Sequence, residues 1–180
     1  MKVAANGHGV RVPNFLEFPC WDEQGRLRVV VETPRGSAFK IHYDSATQAF
    51  TFQRPLRGLR YPYDWGFVPG TLAEDGDPLD ALVIHEESMW PGILLPTQPI
   101  AVLKIRDKKP GAKQEVQNDR IIALPSIRSS TSASELSAEK RRELAQFFQA
   151  AGEQAGKEVR ILGWGEESEA RARIEQTRRR

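Results

Sequence analysis

Seven short strand-like runs, each ended by turn-forming residues, limit what this chain can become. They are Leu27–Thr33, Ala38–Tyr43, Ala49–Gln53, Leu79–Ile84, Ile100–Arg106, Arg120–Leu124 and Val159–Leu162. Runs of this length, bounded by Pro, Gly, Asp or Ser, read as strands. Strong helical periodicity comes late in the chain. Leu144, Phe147, Phe148 and Ala151 recur at i, i+3, i+4 and i+7, with Lys140–Glu143 largely around the other side. Ser137 is placed to cap that helix and Gly152 to stop it. Glu166–Arg180 reads as a second helix or a basic tail, its Arg-rich end suited to the helix dipole or free to fray. Many short strands followed by two helices predict an α+β, mainly β chain, a small β-barrel with helices packed on it.

Length and charge narrow the class. At 180 residues, positions 1–180 are expected to form a single domain. Residues 1–25, with Pro13, Pro19 and three Gly, read as an irregular arm laid over the body. Ser126–Ser137 reads as a solvated loop. The formal net charge is +2, but the last ten residues hold five Arg and one Glu. The remainder is therefore −2, which argues against a basic nucleic-acid binder or a membrane-surface protein. Cys20 is the one cysteine, so neither an internal disulfide nor a Cys-based zinc site is available. A reducing, cytoplasmic setting fits. No apolar run approaches the roughly 18 residues of a membrane span.

The densest chemistry lies in Glu74-Asp75-Gly76-Asp77-Pro78-Leu79-Asp80, three aspartates within six residues around a turn. Carboxylates this close disfavour joint ionisation unless cations neutralise them. Hard cations take oxygen ligands, which points to Mg²⁺. In the strand reading Asp80 shares a face with Leu82 and Ile84, opposite Leu79, Ala81 and Val83. A carboxylate at the end of an apolar face is costly unless paired or metal-bound. The plainer alternative is a solvated acidic turn. An EF-hand loop does not fit, because Pro78 intervenes and the required Gly is missing. Cations that suit a phosphate lie elsewhere in the chain. Lys40 and His42 share a strand face, Arg54 follows Phe50 and Phe52 on theirs, and Tyr61 adds a hydroxyl.

Taken together, these stretches resemble the soluble family I inorganic pyrophosphatases. Asp75-Gly-Asp77-Pro-Leu-Asp80 is similar to that family's signature. Tyr61-Pro62-Tyr63-Asp64-Trp65-Gly66-Phe67, Gly70-Thr71-Leu72, Glu32-Thr-Pro34-Arg-Gly, Asn118-Asp119-Arg120-Ile121-Ile122-Ala123 and Phe147-Phe148 follow its pattern in order. The likeness runs from about Val30 to Trp164. It implies an OB-like five-stranded β-barrel with two late α-helices. It also implies Mg²⁺-dependent hydrolysis of pyrophosphate to two phosphates and a homo-oligomer. By the same resemblance Asp75, Asp80 and Asp107 would hold metal. Asp77 would take the proton of the attacking water and Glu32 would help hold a metal through water. Lys40, Arg54, Tyr61 and Arg120 would bind the substrate. The alternatives are a related hydrolase of another phosphate or phosphoanhydride, and a weakly active or inactive phosphate-binding relative.

Five positions depart from the family pattern. His42 stands where Glu is usual, Trp65 where a phosphate-contacting Tyr is usual, and Asn118 at an Asp metal position. Asp119 would replace that ligand only if a bulge reversed its facing. Ala151-Gly152 aligns with a Tyr-Lys phosphate pair, and neither residue has a side chain that can bind phosphate.

Overall fold

A computed structural model describes residues 14–126 and 136–179. The start of the expected N-terminal arm, most of the Ser126–Ser137 loop and Arg180 lie outside the described residues. Along the chain run β1 (Leu27–Thr33), β2 (Phe39–Asp44), β3 (Ala49–Pro55), β4 (Asp64–Val68), β5 (Leu79–Val83), β6 (Leu94–Lys108), β7 (Val116–Gln117), β8 (Arg120–Pro125), α1 (Ala138–Gln154), β9 (Glu158–Glu166) and α2 (Glu167–Thr177).

Five strands close on themselves. β1 pairs with β4, β4 with β5, β5 with β8, β8 with β6, and β6 returns to β1. All of these pairings are antiparallel except β5 with β8. Closure removes exposed edges and is the arrangement of a five-stranded OB barrel. β6 is long enough to serve two partners in succession. Leu94–Leu27-side pairing gives way along the strand, so Leu94–Thr97 match β1 while Ala101–Lys108 match β9. β2 and β3 form a separate hairpin.

The alternation expected on β5 holds. Leu79, Ala81 and Val83 enter a buried cluster with Leu27, Val29, Val68, Leu95, Val102 and Ile121, drawn from all five ring strands and completed by Ala170 and Ile174 of α2. Leu82 turns to a second cluster with Trp65, Ala101, Leu103, Ile105 and Ile122, covered by Leu144, Phe148 and Ala151 of α1. Burying two such faces is the main favourable term available to a chain this size.

Local signals explain most boundaries. Ser137 Oγ accepts from Lys140 N at 3.2 Å and caps α1 as expected. Gly152 is not the stop: the helix runs to Gln154, and Gly156 at φ +71° follows the cap residue Ala155. The glycine at 152 answers a different need. A Cβ there would sit 2.1 Å from Val159 Cγ2, so α1 lies against β9 too closely for a side chain unless Val159 is displaced. The basic end does not fray up to Arg179. Arg178 bridges Thr71, and Arg179 N donates to Gly70 O at 2.8 Å. In the described part of the arm, Cys20 is buried and Trp21 bridges Leu27.

Candidate active site

The turn between β4 and β5 holds Asp75 and Asp77 at the mouth of a cleft. Gly76 takes φ +90°, a conformation other residues rarely adopt, and Ala73 N donates to Asp77 O at 2.8 Å across the turn. Asp77 N donates to Asp75 Oδ1 at 3.2 Å. Thr71 holds the far side: its Oγ1 accepts from Leu79 N at 2.9 Å and donates to Val68 O at 2.6 Å. The turn thus leads directly into β5, whose second residue is Asp80.

The cleft has a volume of about 360 Å³. Its walls combine Asp75 and Asp77 with Lys40 of β2, Arg54 of β3, Tyr61, Trp65 of β4, Asp107 of β6 and Arg120 of β8. Phe147, Phe148, Ala151 and Gly152 of α1 form another side, and Lys109 and Lys157 reach in from loops. Seven of the nine residues proposed from sequence therefore line one cavity. Glu32 and Asp80 are not among the wall residues.

Asp80 belongs to the site through Arg120. The parallel register of β5 and β8 sets the two residues opposite one another. Arg120 Nη1 lies 2.6 Å from Asp80 Oδ2, and its Nη2 lies 3.7 Å from Asp107 Oδ2. The guanidinium also stands over the Trp65 ring at 5.3 Å and the Phe148 ring at 5.8 Å. Trp65 is therefore a platform for a cation. Two unpartnered donors, Arg54 Nη1 and Arg120 Nε, are buried beside these contacts. The other end of Arg54 is tied down, its Nη2 donating to Ala151 O at 2.9 Å.

Electrostatics mark the floor as strained toward cations. Burial pushes the Glu32 carboxyl up to about 8, the Tyr43 N–H opposes this, and the charges of Asp80 and Asp77 add to it. Tyr43 N donates to Glu32 Oε1 at 2.7 Å. Burial likewise raises Asp80, against the pull of Arg120 and Lys40. It lowers the Lys40 ammonium, against Asp80 and Glu32. Burial also raises the Tyr61 hydroxyl, which keeps it a hydrogen-bond donor.

The departures from the family pattern have definite places. Asn118 Nδ2 donates to Asp107 Oδ2 at 2.9 Å, while its Oδ1 accepts from Arg120. Asp119 faces away from the cleft. Its Oδ1 accepts from Ile105 N at 3.0 Å, and its Oδ2 lies 3.0 Å from Arg173 Nε of α2. No bulge reverses it, so it does not replace a ligand in the cleft. His42 is not in the walls; its Nδ1 lies 3.4 Å from Thr51 Oγ1. Lys104 is a strand residue paired with Glu169.

Sequence reasoning missed Lys157. Its Nζ lies 3.0 Å from Asp107 Oδ2, inside the cleft. A lone Lys after a helix has no pattern to announce it. Asp64, in the Tyr61–Phe67 stretch, has a structural role. It is fully buried and accepts from Arg35 N at 2.7 Å and Met89 N at 2.8 Å, with His85 Nε2 at 2.8 Å. It fastens the loops around the ring rather than lining the cleft.

Among the described residues, no three His, Cys, Asp or Glu side chains form a compact cage. The oxygen donors at the turn nonetheless suit a hard divalent ion. Mg²⁺ is commonly held by one or two carboxylates, with waters and substrate phosphates filling its remaining positions. Burial, the main reason the Asp80 and Glu32 carboxyls are raised, is a cost that a bound divalent ion would offset.

Comparison with known proteins agrees in sequence and in fold. A family model described as inorganic pyrophosphatase matches residues 29–180. The chain is 36% identical over 157 residues to an inorganic pyrophosphatase of Sulfolobus acidocaldarius, covering 83% of this chain and 87% of that one. It is 32% identical over 169 residues to one of Nostoc, covering 91% and 96%. Among solved structures, the Thermus thermophilus inorganic pyrophosphatase superposes with a TM-score of 0.79 at 29% identity, over 92% of this chain and 97% of that one.

Proposed function

The chain belongs to the inorganic pyrophosphatase family, and from that premise we propose that it hydrolyses pyrophosphate to two phosphates in a Mg²⁺-dependent reaction at the Asp75–Arg120 cleft. The observation that carries the proposal is that two carboxylates, Asp75 and Asp77, line one cavity together with Lys40, Arg54 and Arg120. A polyanion with its counter-ions fits between such walls.

In this reading Asp75, Asp80 and Asp107 would hold the metal. When bound, the divalent ion supplies positive charge to the phosphate oxygens and makes an attacking water more acidic. Asp77 accepts the proton of that water. Glu32, buried beside the site, would help hold the metal through a water. Lys40, Arg54 and Arg120 neutralise charge on the phosphates and stabilise the departing one. Tyr61 donates to a phosphate oxygen. Water attacks one phosphorus, the bridging P–O bond breaks, and the leaving phosphate takes the electron pair.

No helix among the described residues is long and apolar enough to cross a membrane. The proposal includes a cytoplasmic location and a homo-oligomer, for which exposed Phe39, Phe52 and Trp90 offer apolar surface. Sedimentation of the purified chain tests the assembly.

The functional test is phosphate release from pyrophosphate, tripolyphosphate and a nucleoside triphosphate, with Mg²⁺ and with chelator. Pyrophosphate is expected to be preferred, with loss in chelator and in Asp75→Asn. Turnover of another phosphoanhydride alone moves the assignment to a related hydrolase. Mg²⁺-dependent binding without turnover makes the chain a phosphate-binding relative.

A further inference from the structure

We propose that Lys157 binds a phosphate of the substrate, supplying from the loop after α1 the cation that the helix itself cannot present. The inference rests on the pyrophosphate reading for the identity of the ligand. It rests on geometry for the residue.

The wall of the cleft nearest the end of α1 is made by Ala151 and Gly152. Position 152 can take a side chain only by displacing Val159, since a Cβ would meet its Cγ2 at 2.1 Å. The carbonyl of Ala151 is already held by Arg54. This wall therefore has no cation of its own. The chain then turns back sharply. Gly156 N donates to Glu153 O at 2.9 Å, and Lys157 N donates to Gly152 O at 3.0 Å. That second bond pins the Lys157 backbone to position 152 and sends its side chain toward the cavity it lines.

Asp107 sets the direction of the ammonium, 3.0 Å from Lys157 Nζ. The same carboxylate oxygen takes Asn118 Nδ2 at 2.9 Å and has Arg120 Nη2 at 3.7 Å. Asp107 is thus well supplied with donors without Lys157. An ammonium has three N–H groups, and one suffices for Asp107. The Lys157 side chain is 26% exposed against 3% for Asp107 and lines the cavity, which leaves room for an anion at its other two N–H groups. Arg120 differs: its Nη1 is shared among Asp80 and the Asn118 oxygens.

The test uses the full chain and the variants Lys157→Met, Lys157→Gln and Lys157→Arg. Gln keeps a donor toward Asp107 while removing the charge. Steady-state kinetics at saturating Mg²⁺ are joined by calorimetric titration of inorganic phosphate in Mg²⁺. For Met and Gln, KM for pyrophosphate and Kd for phosphate are expected to rise about tenfold, the scale of one charge-assisted hydrogen bond. The change in kcat should be smaller, and Arg should restore most of the affinity. Unchanged KM and phosphate Kd in the Gln variant overturn the proposal. So does a shift confined to the Mg²⁺ concentration needed for activity, which would make Lys157 only a counter-charge to Asp107. A wild-type chain that binds phosphate through Lys157 but does not turn over pyrophosphate upholds this residue's role and sinks the catalytic reading instead.

Discussion

Asp77 has a backbone fixed by the turn and a carboxylate at the cavity wall, so its replacement tests chemistry more than folding. Asp77→Asn should lower kcat by about 10²–10⁴-fold, the usual weight of a general base, with the circular dichroism unchanged. Glu32 tests electrostatics. Its folded pKa of about 8 exceeds its ordinary 4.5, so the folded state holds the proton where the unfolded chain has lost it. Its contribution is full below about pH 4.5 and is lost as pH rises toward 8. Metal-free protein should therefore melt at progressively lower temperature across that window. Glu32→Gln should flatten the trend in a series of thermal melts; an unchanged slope would contradict the burial argument. At this scale the acidic turn was legible because like charges so close need a reason. The turning of Asp119 away from the cleft was legible too, since alternation along the backbone sets it against Arg120. Lys157 was not, because its position depends on how α1 ends against β9.

The packing of α1 on β9 makes a prediction at the scale of elements. Gly152→Ala improves helix propensity by about 1 kcal/mol. The added methyl must nevertheless displace the stiff Val159 side chain, a clash that costs about 1–3 kcal/mol or more. A net loss of stability is expected in urea titration, against the usual gain from Gly→Ala in a helix. Strand signals were readable where burial alternates or turns flank the run. β4 was hidden because all five of its residues are buried, which erases alternation, and Pro and Gly surround it. β6 was read short because Pro96 and Pro99 lie in its first half. The structure tolerates Pro99 beside a register shift between Pro99 and Ala101.

For the whole molecule, the ring and α2 share one core. Ile174 is fully buried with residues of the five ring strands, so Ile174→Ala should cost about 2–5 kcal/mol. The loss should appear in a single unfolding transition followed by fluorescence and circular dichroism together. The barrel itself was legible as many short strands, while its closure through β1 and β6 depends on pairings far apart in sequence. The parallel match of β5 to β8 has a consequence for how the protein matures. Asp80 and Arg120 are direct partners in the sheet, yet the whole of β6 lies between them in sequence. Such non-local pairing is slow relative to helix formation. A chain emerging from synthesis thus carries Lys40, Arg54 and the aspartate turn before Arg120 and Lys157 have been added. Anion binding that needs every cation of the cleft therefore waits for the chain beyond β6, which also completes the ring.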